Sequence, residues 1–246
     1  MLTRRGLCRG SVAGAILLAT GRAASARADV RAPSAELPPA VSGLLREALG
    51  LGRALRRGDL TQHAWQERMS TLLASIPAPT IAAALDLPAL RARAPRVRRG
   101  AAIVTLPFPE TLGGDEGAAM RVFFFEGGRT DPPHVHFNSV TTHLVLEGRF
   151  RVQHWDRVRE EASGFVLRPT HDRELVAGES SSISEERDNG HWHACLDRGV
   201  LIDVEQGRLD PSIPPRNRQM VDLSGQRDGE FFAPSLSRAV AMRRYG

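Results

Sequence analysis

Lysine is absent from this chain, and all 33 basic residues are arginine. Cysteine is nearly absent as well, with only Cys8 and Cys195. Cys8 lies in a segment that reads as removable, so Cys195 has no partner for an intramolecular disulfide, even in an oxidising compartment. Stability must come from a packed core, with a bound metal as the one further reinforcement open to it. Long apolar runs are missing too. The most apolar stretch, residues 10–20, offers about eleven residues where a membrane span needs roughly 20. Nor is there a basic surplus over most of the chain. The formal charge is +5, but five arginines and no acids fall in residues 1–28, and the other 28 arginines balance 28 Asp and Glu. A net charge near zero removes the main argument for a nucleic-acid partner.

Residues 1–28 have the three-part form of an export signal. Arg4, Arg5 and Arg9 form a basic region, residues 10–20 a mildly apolar one, and Ala26-Arg27-Ala28 a small-x-small cleavage site before Asp29. The run Thr3-Arg4-Arg5-Gly6-Leu7-Cys8-Arg9 resembles a twin-arginine signal, with Arg9 where lysine is usual. This predicts a periplasmic or secreted protein with no stable membrane insertion after cleavage; an uncleaved anchor is the alternative. Cys8 precedes the apolar stretch, which argues against a lipoprotein anchor. About 218 residues then remain, enough for one domain with additions or two small ones.

Four segments follow from the patterning: the signal (1–28), a linker and helical segment (29–100), a β-barrel (101–206) and an irregular C-terminal tail (207–246). Pro and Ala mark 29–40 as linker. In 41–57, Leu44, Ala48, Leu51 and Leu55 recur at helical spacing, widened by Leu45 and Leu49 and weakened by Gly50 and Gly52. Asp59 is an N-cap candidate for a helix over 60–75, which Pro77 and Pro79 end. A third short helix is predicted over 81–87, and the arginine run 91–99 reads as a solvated connector. Beyond Gly100 the apolar period changes from about 3.6 to 2. Short strand-like runs fall at 102–108, 120–126, 134–137, 142–146, 150–155, 164–167, 181–184, 191–196 and 200–205. Gly, Pro and Asp clusters separate them, which indicates an antiparallel sandwich or barrel rather than alternating βα units.

Five of the eight histidines fall in two short windows, 131–148 and 188–193. His134 and His136 are two apart, so on a strand they project to one face about 6.6–7 Å apart. Two imidazoles so placed can reach one ion about 2.0–2.2 Å from each nitrogen. A third ligand must come from another strand, and His191 and His193 supply candidates.

The first window resembles motif 1 of the cupin superfamily: His-x-His, three or four residues, Glu, six residues, Gly. His134, His136 and Gly148 fall on this pattern, but Thr141 stands where Glu is expected. The second window resembles cupin motif 2, Pro-x-Gly-x-x-His, through Gly190 and His193, with Asp188 in place of Pro. His191 shares a strand face with His193 and is an equal candidate. The resemblance spans roughly residues 120–206 and implies a mainly β fold, a cupin jelly-roll barrel preceded by a short helical segment. Cupin thiol dioxygenases lack the Glu and hold iron with three histidines, and the ligand set here is similar. The implied metal ligands are His134, His136 and one of His191 and His193, with Thr141 and His143 facing substrate. His143 could also replace the missing carboxylate. The implied cofactor is one divalent metal ion, iron first, with Mn, Zn, Ni and Cu as alternatives.

The function expected is a mononuclear non-haem iron oxygenase acting on a small molecule outside the cytoplasm. Its alternatives are a non-catalytic metal- or ligand-binding module and a Mn, Ni or Zn lyase or isomerase. A small-molecule substrate and a homodimer are the partners considered. Arg149, Arg151 and Gln153 alternate after Gly148; they grip a substrate carboxylate if they face inward, or lie in water if Phe150 and Val152 do. His63, His154 and His171 read as surface or internally satisfied histidines. Cys195 reads as a buried, inert thiol and Trp192 as core packing opposite the His191/His193 face.

Overall fold

The computed structural model describes residues 39–106, 117–214, 216 and 218–246. The signal segment 1–28, the start of the linker and part of the first expected strand lie outside them. Among the described residues no helix is long and apolar enough to cross a membrane.

Among the described residues four helices come first: α1 (Pro39–Arg56), α2 (Gln62–Ala74), α3 (Ala78–Ala84) and α4 (Leu87–Arg93). Thr61, rather than Asp59, caps α2, its hydroxyl accepting from the Ala64 N–H at 3.2 Å. Pro79 lies in the first turn of α3, where a missing N–H costs nothing, so it opens a helix instead of ending one. Asp86 caps α4, which takes up the start of the arginine run expected to be a connector.

Eleven strands follow among the described residues: β1 (Ala102–Leu106), β2 (Ala118–Phe125), β3 (Thr130–Val135), β4 (Ser139–Glu147), β5 (Arg149–Glu161), β6 (Gly164–Val176), β7 (Ser180–Ile183), β8 (Gly190–Cys195), β9 (Gly199–Gly207), β10 (Gln219–Val221) and β11 (Phe231–Leu236), with α5 (Arg238–Arg244) after them. They form a five-stranded sheet, β1-β2-β9-β4-β7, and a six-stranded sheet, β10-β11-β6-β5-β8-β3, which closes because β10 also pairs β3. Every pairing is antiparallel. The architecture is the expected mainly β jelly-roll barrel with a helical N-terminal part. Residues 207–246, expected to be irregular, differ: β10 and β11 complete the closed sheet. Both strands are short, with prolines at 211, 214 and 215 ahead of β10 and Pro234 within β11, so neither shows a clear period.

Apolar residues divide into three clusters. Val140, Leu144 and Leu146 of β4, with Val200, Ile202 and Val204 of β9, face α1–α4. The opposite faces of β2, β4 and β9 send Phe123, Phe125, Val145 and Leu201 inward to Phe150, Val152 and Cys195. β4 is thus buried on both faces, with eight of its nine residues inaccessible, and its inward positions 141, 143 and 145 can be polar only if partnered. On the far side of the six-stranded sheet, Val135, Trp155, Phe165 and Leu167 pack against Val221, Leu223 and Phe231. Full burial of such side chains stabilises by about 1.5–3 kcal/mol each.

Gly148 turns the chain from β4 into β5 at φ +81°, and an added Cβ would lie 2.4 Å from the Arg198 carbonyl oxygen. Only glycine fits that turn without displacing backbone.

Candidate metal centre

The ladder pairs His134 of β3 with His191 of β8, His191 with His154 of β5, and His154 with His171 of β6. Opposed residues of antiparallel strands project to the same side. A row of four imidazoles therefore crosses the sheet, and His136, His143 and His193 stand beside it.

His134 is placed by a bulge. Asp131 pairs with His193 and His134 with His191, so β3 spends three steps where β8 spends two. Pro132 and Pro133 occupy that irregular stretch and have no N–H to give the ladder. The Pro132 carbonyl instead accepts the His134 Nδ1 proton at 2.7 Å. That bond leaves Nε2 of His134 with its lone pair directed into the site.

Three Nε2 atoms meet there. His191 Nε2 is 2.8 Å from His134 Nε2 and 3.1 Å from His136 Nε2. Donors about 2.1 Å from one ion and at right angles to each other stand about 3.0 Å apart, so this spacing matches cis ligands of a single ion. Ser139 Oγ is 3.4 Å from His136 Nδ1, and the His136 carbonyl accepts from Asn189 and Arg157. A second group of three, His143, His191 and His193, shares His191, with ligand atoms within 4.8 Å of one another. The first triad lies within the same distance, and its 2.8 and 3.1 Å contacts make it the better prepared. Of the two β8 candidates, the structure brings His191 to His134 and His136 and sets His193 beside Ser181, its Nε2 3.3 Å from Ser181 Oγ.

Burial holds these histidines neutral. Desolvation pushes the pKa of His134, His136, His191 and His193 well below the ordinary value, and neighbouring histidines add to the effect. Arg218 contributes at His134 and His136. Burial brings His143 down to about 3, with His154 and Arg218 helping. Neutral imidazole is the metal-binding form. The Nδ1 atoms of His143 and His191 are buried without a hydrogen-bond partner.

A cavity of about 220 Å³ lies over the triad, lined by its three histidines with His143, Arg121, Phe123, Asp203, Glu205 and Arg218 among others. Arg121 reaches Asp203 at 2.7 Å and Glu205 at 2.5 Å. Burial alone would lower its pKa, but the two carboxylates outweigh it and keep the guanidinium charged. Thr141, expected to face substrate, does not line the cavity; its hydroxyl donates to Asp203 and to the Val204 carbonyl. Asp203 Oδ1 stands 3.7 Å from His143 Nε2. A carboxylate is therefore present near the position of the missing Glu, supplied from the neighbouring strand β9.

Sequence reading missed Arg121, Asp203, Glu205 and Arg218. The signal for the first three was a charged residue at the inward position of an otherwise apolar strand; Arg218 carried none. His154 was also misread. It is buried, neither ring nitrogen has a hydrogen-bond partner, and desolvation keeps it neutral. Arg149 and Arg151 face solvent, paired with Asp197 and Asp172, while Phe150 and Val152 fill the interior. Cys195 is buried; burial pushes its thiol up to about 11, and it donates to the Asp197 carbonyl.

No family model matches the chain, and no curated protein does. Among solved structures, a recombinant oxalate oxidase in complex with glycolate matches at 24% identity over 47% of this chain, with a TM-score of 0.35. The match spans 55% of the oxalate oxidase. A cupin superfamily protein from Desulfitobacterium hafniense matches at 14% identity over 45% of this chain and 81% of its own, with a TM-score of 0.31. An RmlC-like cupin from Shewanella frigidimarina matches at 18% identity over 49% and 87%, with a TM-score of 0.35. The structural neighbours of this chain thus include cupins, and each of these three matches spans just under half of it.

Proposed function

We propose that this chain is a metal-dependent oxidoreductase, a mononuclear non-haem iron oxygenase that acts on a small molecule outside the cytoplasm. The observation that carries the reading is the convergence of three neutral Nε2 donors, two buried and one half-buried, His191 lying 2.8 and 3.1 Å from His134 and His136. An iron(II) ion there would supply a redox centre with open coordination positions. The chain's own residues do the rest. The Pro132 carbonyl orients His134. Phe123 and Ile103 keep part of the cavity wall apolar, and Arg121 with its two carboxylates gives it a fixed polar side.

Iron as the native ion is supported by the twin-arginine-like run at Thr3-Arg4-Arg5, since such signals export folded proteins and metal can be chosen before export. Outside, an open nitrogen site would favour copper or zinc over iron. Elemental analysis of protein purified after its own export, with oxygen uptake on a panel of small thiols and carboxylic acids, tests the reading. Iron with substrate-dependent uptake supports it. Zinc or no metal without turnover would replace it with a binding module, and turnover without oxygen with a lyase or isomerase. Arg4→Gln/Arg5→Gln should hold the precursor in the cytoplasm; export of that variant would remove the twin-arginine argument.

A further inference from the structure

Arg218 precedes β10, whose Met220 pairs with His134, and this pairing delivers its guanidinium to the triad. Its Nη1 stands 3.0 Å from Asp131 Oδ2 and 3.2 Å from His134 Nε2. Its Nε is buried and has no hydrogen-bond partner. His134 Nδ1 already donates to Pro132, so Nε2 has a single lone pair to offer. Arg218 and a metal ion cannot both take it. Coordination of an ion by His134 must displace Nη1, leaving a guanidinium partly free inside a cavity of about 220 Å³.

Charge points the same way. Arg121 and Arg218 face three carboxylates, those of Asp131, Asp203 and Glu205. With neutral histidines the set carries one negative charge, and a divalent ion would turn that into one positive charge. A single monoanion restores neutrality in a poorly solvated space, where an uncompensated charge is costly. Arg121 is already gripped on two sides, so Arg218 is the cation with donors to spare. The planar fork of Nε and Nη suits a carboxylate, which accepts two parallel hydrogen bonds.

Resting on the metal reading, we propose that Arg218 forms a carboxylate subsite beside the His134/His136/His191 ion, so that the ion and a small monocarboxylate bind cooperatively. The substrate class is then a small molecule with one carboxylate, held by Arg218 next to the ion.

The test is a calorimetric titration of metal-free protein with Co(II) at constant ionic strength, in acetate or in chloride. Acetate should tighten Co(II) binding by about tenfold, within the usual range of coupling between two sites, and chloride should not. Arg218→Gln should bind Co(II) at least as tightly as the parent in chloride, because a cation beside the site is gone, and should gain nothing from acetate. Arg149→Gln, at an exposed arginine, should keep the full acetate effect. The proposal is overturned if acetate leaves the parent affinity unchanged, if chloride reproduces the effect, or if Arg218→Gln retains it. Should Arg218→Gln fail to fold, the acetate and chloride arms on the parent protein still decide. Absence of Co(II) binding in every arm would overturn the metal reading itself, and this subsite with it.

Discussion

His134 and His191 oppose each other across β3 and β8, and their Nε2 atoms lie 2.8 Å apart. Two buried, neutral nitrogens so close need a shared proton or a shared cation. His134 is committed as an acceptor by its bond to Pro132, so a cation satisfies both more fully than a proton does.

Ligand substitutions should separate the two β8 histidines. His134→Ala, His136→Ala and His191→Ala should each lose most of the bound metal, because two donors cannot hold an ion in competition with water. His193→Ala should keep the stoichiometry, since His193 is placed with Ser181 and His143 rather than in the first triad. Elemental analysis of the purified variants checks this. Full metal in His191→Ala with loss in His193→Ala would reverse the assignment.

The Pro132-Pro133 bulge should matter to the metal without touching it. Replacing both prolines with Ala restores two backbone N–H groups, permits regular pairing of β3 with β8 and would carry the residue-132 carbonyl away from His134 Nδ1. Loss of such an orienting partner typically weakens a metal site about 10–100-fold. Competition with a chromophoric chelator would measure it, and unchanged affinity would show that the bulge is incidental.

Acid should destabilise the metal-free protein early. The folded state holds five buried histidines, 134, 143, 154, 191 and 193, and the half-buried His136 below their ordinary pKa. Unfolding lets each take up a proton near pH 6.5, so the unfolded chain binds more protons below that value. Their contribution is therefore complete above about pH 6.5 and falls as pH drops toward the folded pKa, about 3 for His143. Each fully depressed histidine contributes up to about 1.4 kcal/mol per pH unit in that window. The urea midpoint should fall steeply between pH 6.5 and 5, and His143→Leu should flatten the slope. A midpoint independent of pH there would contradict neutral burial.

Arg149→Gln and Arg151→Gln should leave metal affinity unchanged. Both guanidiniums are about half exposed and paired at the surface, where solvent screens the ion pairs and leaves them little weight. A loss of metal or ligand binding in either variant would return them to the site.

Gly148→Ala should cost about 1–3 kcal/mol or more, because it combines a positive φ with a Cβ against the Arg198 carbonyl. A thermal midpoint within a degree of the parent would show that the turn can relax.

Periodicity alone sufficed for the barrel class, because a two-residue period of short punctuated strands packs in few ways, and for the helices ahead of it. Local spacing likewise paired His134 with His136, although His136 lies one residue past the end of β3 and meets His191 from there. Gly148 was legible for a similar reason, its role being a property of one turn. Register was not legible. It puts His191 rather than His193 against His134, adds His154 to the row, and brings Asp203 beside His143. A shift of one residue would turn every one of those side chains to the other face, and nothing local to either strand specifies that shift. Nor could any pattern foresee Arg218, more than 80 positions from His134, because β10 is three residues long and meets β3 only when the second sheet closes. The ligand types were thus set by sequence, and their partners and charges by closure of the barrel.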